Sequence, residues 1–244
     1  MFALCAAVAA VQLPRLHSLS DPMLASLHSF SSTANWLIPQ RVICGRYPGS
    51  CPSRPTSAGA VTERLAAIRG AGISTFVCLQ SELPPQDAFW PDGGVSGQSN
   101  NAPDAQTAPF VPYREAAGSD ASFLHFGIPD LSVAESLESL DALVADLARR
   151  VARSEGLYLH CWGGRGRTGL VAACLLGALY NVEAEEALQR VQLYHDQRGP
   201  ERGGLSPETE EQKQQARFRG RVRGRVRVRG RVRAMSCIST HRGK

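Results

Sequence analysis

The stretch from Leu157 to Tyr180 constrains the fold of this chain more than any other. A short apolar segment, Leu157–His160, enters a turn with glycines at 163, 164, 166 and 169 and leaves it as an apolar helical segment from Thr168 to Tyr180. Four apolar-rich residues bounded by Gly156 and a glycine turn suit a buried strand. A strand that feeds directly into a buried helix needs a sheet with helices packed on it. The flanking pattern agrees. Trp36 to Gly45, broken at Pro39, reads as an edge strand or hairpin. Thr62 to Gly70 reads as a helix closed by the Ala71-Gly72 turn, and Ile73 to Leu79 as a buried strand. Phe123 to Ile128 is a further strand, ended by Pro129-Asp130. Ser132 and Glu135 match a capping box. It predicts a helix with Ser132 as N-cap running to about Arg153, with Val133, Leu137, Leu140, Val144 and Leu147 near one face. Val182 to about Gln197 is amphipathic, and Ser206-Pro207-Glu208 opens a last polar helix. The expected fold class is α/β: a compact, largely parallel sheet flanked by helices, over residues 35–216.

Two extensions flank that domain. Residues 1–34 are rich in Ala, Leu and Ser and admit two readings, a disordered extension or an organelle-targeting segment within 1–30. From 217 to 244 the chain has 11 basic residues and no acidic one, which leaves 16 basic against 22 acidic residues in 1–216. The net charge of +5 is therefore the sum of an acidic body and a basic tail. Every odd position from Arg217 to Arg233 is arginine, so self-repulsion predicts disorder. That tail either attaches to nucleic acid or an anionic membrane, or is a low-complexity expansion without a partner. Residues 84–118, rich in Pro, Gly, Asn and Ser, are expected to form a long loop.

Composition also excludes classes. No run of about 20 apolar residues exists, so a spanning helix is not expected. The seven cysteines are odd in number, scattered and never spaced C-x-x-C. That argues against a disulfide scaffold and against a zinc site, and it favours a reducing compartment, cytoplasmic or nuclear.

Chemistry concentrates at residues 160–169, His-Cys-Trp-Gly-Gly-Arg-Gly-Arg-Thr-Gly. Glycines 163, 164 and 166 let successive N–H groups turn toward one point, and the following helix adds its N-terminal amides and dipole. Such a cradle, with Trp162, Gly163, Gly164, Arg165, Gly166 and Arg167 around it, suits a phosphate. Arg167 can grip two phosphate oxygens with its planar fork. The same field favours the thiolate of Cys161, placed for in-line attack at phosphorus. Thr168 can donate its hydroxyl to the sulfur, and His160 holds the loop by hydrogen bonds. Asp130, at the end of the preceding strand, reaches the same rim in a parallel sheet and can protonate the leaving oxygen and then activate water.

This constellation resembles the cysteine-dependent protein tyrosine phosphatase superfamily, whose signature H-C-x5-R-[ST]-G is matched from His160 to Gly169. The compact size and the Ile128-Pro129-Asp130 element look like dual-specificity phosphatases, and the Gly-Gly-x-Gly-Arg loop is similar to that of kinase-associated phosphatases. The resemblance implies hydrolysis of phosphotyrosine and/or phosphoserine/threonine through a cysteinyl-phosphate, with no cofactor and no metal. The implied partner is a phosphoprotein, a kinase among the candidates. It also implies that Gln212, in the closing helix, helps place the hydrolytic water, and that Cys78 traps an oxidised Cys161 as a disulfide. An ordinary buried cysteine is the other reading of Cys78. Two alternatives remain: a phosphoinositide or other non-protein phosphomonoester phosphatase, for which Arg165 speaks, and a binding module without catalysis.

Overall fold

A computed structural model describes residues 13–51, 53–83, 110–199 and 204–220. Six strands form one sheet: β1 (Ser29–Ser31), β2 (Ala34–Ile38), β3 (Val42–Gly45), β4 (Thr75–Gln80), β5 (Ser122–Ile128) and β6 (Leu157–His160). Their order across the sheet is β1-β2-β3-β6-β4-β5. The first three are antiparallel neighbours, and β3, β6, β4 and β5 run parallel. The sheet is thus mixed, with a parallel centre and a hairpin edge where Pro39 breaks the sequence.

Alternation along the parallel strands sends side chains to two cores. Val77, Leu79, Leu124, Phe126, Leu157 and Leu159 face one layer, made by α4 (Leu137–Ala152), α5 (Gly166–Tyr180) and α6 (Ala184–His195). Ile43, Phe76, Cys78, Phe123 and Tyr158 face the other, covered by α2 (Ala58–Gly70) and by Tyr113 before the short α3 (Arg114–Ala117). Strand β6 lies between β3 and β4, so its residues are buried by neighbours on both edges and both faces. Helix α5 is buried from Gly166 through Leu176, which explains why its sequence is apolar all round rather than amphipathic.

Parallel strands place their C-terminal ends together. Gly45 and Cys78 both pair with His160, and Gln80 pairs with Ile128. Residues 46, 82, 130 and 161, each one or two positions past a strand, therefore emerge at one rim.

Several expectations need correction. Helix α4 begins four residues later than the capping box predicts. Ser136, not Ser132, is its N-cap, accepting from the Ser139 N–H at 3.1 Å. Leu131 takes φ 56°, and the Ser132 N–H closes a turn on the Pro129 carbonyl. The Ala134 N–H and carbonyl are both held by the Gln215 side chain, at 2.9 and 2.7 Å. A tertiary partner thus takes the backbone groups that a helix start would use.

The folded body also starts before residue 35. Helix α1 (Leu24–His28) and β1 pack on it, the His28 ring stacks on Tyr194 at 3.4 Å, and the Pro14 carbonyl accepts from the Tyr180 hydroxyl. At the other end, 210–220 are helical (α7), so Arg217 and Arg219 belong to the body rather than to a tail. Arg219 is 3% exposed, paired with Asp141 and bonded to the Cys174 carbonyl at 3.0 Å. Self-repulsion does not act on an arginine that has an acid and a carbonyl to meet. Residues 1–12, 221–244 and 84–109 of the expected loop lie outside the described residues. Among the described residues no helix is long and apolar enough to cross a membrane.

Candidate active site

Cys161 lies immediately after β6, 3% exposed, at the base of the glycine turn. The Gly164 N–H donates to its sulfur at 3.3 Å. Gly164 itself has φ +71°, and a Cβ there would overlap the Gly45 carbonyl, so the tight approach of loop to β3 requires glycine. The Trp162 carbonyl accepts from the Tyr47 N–H at 3.1 Å, and the Arg165 carbonyl from Ser206 Oγ at 3.0 Å. With those carbonyls drawn outward, the N–H groups of the loop and of the α5 N-terminus are left to an anion above the sulfur.

Arg167, one residue into α5, is 2% exposed and fixed by three groups. Nη1 donates to Glu82 Oε2 at 2.5 Å and to the Ile128 carbonyl at 3.0 Å. Nη2 donates to Glu82 Oε1 at 2.9 Å and to Asp130 Oδ1 at 2.7 Å. Burial opposes its charge, but Cys161, Glu82 and Asp130 more than compensate, and its pKa is raised. Asp130, with its side chain 51% exposed, reaches in from the mouth of the site while Arg167 forms its floor. The three residues singled out for chemistry, Cys161, Arg167 and Asp130, therefore converge on one rim.

The supporting residues sort differently. His160 is fully buried; Nε2 lies 2.6 Å from the Tyr113 hydroxyl. Burial, aided by His125 and Arg167, holds its pKa down to about 3, so the ring is neutral and serves as a brace for the loop. Thr168 Oγ1 is buried without a hydrogen-bond partner among the described residues, so its hydroxyl is not bonded to the sulfur in this conformation. Gln212 is fully buried and its amide is engaged. Oε1 accepts from the Glu208 and Thr209 N–H groups at 3.1 Å each, and Nε2 donates to the Ser132 carbonyl at 2.8 Å. It ties the α7 start to the Asp130 loop and lies against Gly166, where a Cβ would meet the amide at 3.1 Å. Cys78, opposite His160 in the sheet, is a free buried thiol pushed up to about 12 by burial. Cys44 on the other flank, opposite Leu159, is likewise pushed up to about 12 by burial. Arg165 pairs with Glu208, and Trp162 Nε1 donates to Ser53 Oγ at 2.9 Å.

Sequence reasoning missed Glu82, Tyr113 and Arg198. Glu82 is signalled only by its place two residues past β4. Tyr113 lies in the segment expected to be a loop, yet is 5% exposed and stacked edge-on to His160. Arg198, in a 3-10 turn after α6, is 5% exposed and bonded, among the described residues, to neutral groups alone, Asn35 Oδ1 and the Cys44 carbonyl, each at 2.8 Å. Above the loop opens a cavity of about 430 Å³, lined by Asp130, Leu131, Trp162 and Gly163 and by Arg46, Arg54, Arg165 and Arg198.

Fold and signature together resemble those of protein tyrosine phosphatases. Residues 112–222 match the family described as Swiss Army Knife protein, DSP-PTPase phosphatase domain. That stretch of the chain is similar to dual-specificity phosphatases. Two viral relatives match part of the chain. "Putative tyrosine phosphatase 067L" of Invertebrate iridescent virus 3 is 52% identical over 44 residues, 18% of this chain and 18% of that one. "Putative tyrosine phosphatase 197R" of Invertebrate iridescent virus 6 is 33% identical over 78 residues, 31% of this chain and 29% of that one. The chain thus spans less than a third of the length of the curated relatives it matches. Among solved structures, Tk-PTP in its active form superimposes with a TM-score of 0.52 at 20% identity, covering 78% of this chain and 97% of that one. PTPMT1 in complex with PI(5)P gives 0.50 at 14%, covering 77% and 95%. Human DUSP28 gives 0.50 at 11%, covering 79% and 95%. At these identities the likeness is one of fold.

Proposed function

We propose that this protein hydrolyses phosphotyrosine and/or phosphoserine/threonine in protein substrates through a cysteinyl-phosphate on Cys161. The observation that carries this reading is the meeting of Cys161 and Asp130, at the ends of two strands, with Arg167 in the first turn of α5, and the Gly164 N–H on the sulfur. In the first step the thiolate attacks phosphorus, the S–P bond forms, the P–O bond to the substrate breaks, and the protonated Asp130 gives its proton to the leaving oxygen. In the second, Asp130 takes a proton from water as the water attacks phosphorus, and the sulfur departs as thiolate, releasing inorganic phosphate. Loop amides and Arg167 stabilise the equatorial oxygens in both.

The geometry adds one feature to this scheme. Arg167 Nη2 is shared with Asp130, so a phosphate that takes up Nη2 displaces the carboxyl and frees it toward the leaving oxygen. Gln212 keeps the Asp130 loop and the Cys161 loop in register, so its part in water placement is indirect.

Hydrolysis of an aryl phosphate that is blocked by vanadate, insensitive to EDTA and lost in Cys161→Ser tests the reaction. Phosphopeptide binding without turnover by the wild-type protein would instead support the binding module. A second reading, a phosphoinositide or other non-protein phosphomonoester, is favoured by the four arginines around the cavity. A panel of phosphopeptides and phosphoinositides separates the two.

A further inference from the structure

The Asp130 carboxylate is half exposed, and Arg167 Nη2, at 2.7 Å, is its hydrogen-bond partner among the described residues. A phosphate that takes up Nη2 removes that hold. What then keeps the carboxyl within reach of the leaving oxygen is the backbone on either side of it. Upstream lies β5, whose Ile128 carbonyl accepts from Arg167 Nη1 at 3.0 Å. Downstream the chain is irregular until α4 begins at Leu137. Leu131 has φ 56°, and one turn bond, from the Ser132 N–H to the Pro129 carbonyl, spans the bend. A non-glycine residue in that region keeps its place only when its surroundings impose it.

Those surroundings are α7. Gln212, Gln215 and Arg219 stand three and four residues apart on one face of this helix. Gln212 Nε2 donates to the Ser132 carbonyl at 2.8 Å. Gln215 Oε1 accepts from the Ala134 N–H at 2.9 Å, and its Nε2 donates to the Ala134 carbonyl at 2.7 Å. Arg219 pins the far end of the helix to Asp141 of α4 and, at 3.0 Å, to the Cys174 carbonyl of α5. Apolar packing is non-directional, whereas an amide that meets both polar groups of one residue fixes it in distance and direction. The two glutamines differ in reach. Gln212 also lies against Gly166 of the phosphate loop, while both hydrogen bonds of Gln215 go to Ala134.

We infer that Gln215 is a positioning residue for the reaction: by holding Ala134 from behind, it keeps the Asp130 carboxyl aimed at the leaving oxygen. The inference rests on the proposed function for the role of Asp130. Ala134 is buried in the core, so it is a fixed point from which a short, kinked segment carries the acid. Gln215 therefore acts on the steps in which Asp130 gives or takes a proton. It leaves the Cys161 thiolate and the phosphate cradle alone. A shift of about 1 Å in a reacting group costs on the order of a hundredfold in rate, and loosening one end of the segment costs part of that.

A double-mutant cycle on the full chain tests it. Gln215→Met keeps the bulk of the side chain and removes both hydrogen bonds. Its kcat/KM should fall about tenfold on an alkyl phosphate and by no more than about twofold on nitrophenyl phosphate, whose leaving group needs no proton. Inhibition by vanadate, which reads the cradle, should be unchanged. In an Asp130→Asn background the same substitution should cost nothing further, because no acid is left to position. Gln215→Glu keeps the acceptor for the Ala134 N–H and should lose less, about threefold. It carries the same cycle if Gln215→Met fails to fold by circular dichroism. Wild-type rates overturn the inference, as do equal losses on the two substrates or a loss that persists with Asp130→Asn. Hydrogen exchange gives a readout apart from turnover. Peptides covering 131–136 should exchange about tenfold faster in Gln215→Met, with the peptide containing Cys161 unaffected. If the wild-type protein hydrolyses neither phosphate while that exchange rises, the proposed reaction falls and the hold of Gln215 on the loop stands. Additive effects in an active enzyme sink the inference and leave the reaction standing.

Discussion

The floor and the wall of the cleft each contain a buried arginine, and the two differ in what neutralises them. Arg167 is clamped by the carboxylates of Glu82 and Asp130 and by the Ile128 carbonyl. Arg198, also hidden from water, meets among the described residues the Asn35 amide and the Cys44 carbonyl, and burial lowers its pKa. Acid partners fix the orientation of the Arg167 fork before any phosphate arrives, which is what transition-state stabilisation requires. Neutral partners fix Arg198 without cancelling its charge, which leaves an attractive field in the wall. One arginine is built for geometry and the other for charge.

That contrast can be broken from either side, beginning where the expected effect is largest. Arg167→Lys keeps the charge and removes the fork. Its kcat/KM on an aryl phosphate should fall by about 10²–10³-fold, the range for losing a key oxyanion donor. A loss of only a few fold would mean that charge alone matters on the floor. Asp130→Asn should slow hydrolysis by about 10²-fold for an alkyl phosphate, within the range for general acid–base groups. The loss should shrink for a nitrophenyl leaving group, which needs no proton. Equal losses on both substrates would remove Asp130 as the acid. Glu82→Gln loosens the clamp without touching substrate, and steady-state kinetics should show a decrease of about ten- to a hundredfold. Wild-type rates in that variant would show that Asp130 and the backbone suffice to hold the fork.

The smallest effect concerns stability against acid. Burial pushes His160 and His195 down to about 3 and His28 down to about 4. A histidine whose folded pKa is depressed favours the folded state above its unfolded value near 6.5, and that contribution is lost as pH falls toward 3–4. Urea midpoints should therefore drop steadily between pH 7 and pH 5, less steeply in His28→Gln. A flat profile over that range would show that these rings are not held neutral.

The site was legible in the sequence where its chemistry is local. Cys161, Arg167 and the glycines between them lie within one turn, so spacing alone reveals the cradle. Asp130 was legible because it follows a strand, and strand ends share a rim. What escaped depends on partners far along the chain. Ser132 has the better capping sequence, yet Ser136 caps α4, because Gln215, 81 residues away from Ala134, holds the intervening backbone. Glu82 and Tyr113 carry no motif. They are recruited by tertiary contacts to Arg167 and His160, 85 and 47 residues distant. Arg219 reads as the start of a repetitive tail and becomes buried because Asp141 on α4 awaits it. Periodicity finds the elements, and long-range polar contacts set their ends.

The central claim is that Cys161 carries the phosphoryl group. Acid quenching of the wild-type protein during turnover of an aryl phosphate, followed by peptide mass mapping, tests it most directly. A peptide containing Cys161 that gains one phosphoryl group, absent in Cys161→Ser, is the expected result. Full turnover in Cys161→Ser, or the phosphoryl group on any other residue, would contradict it.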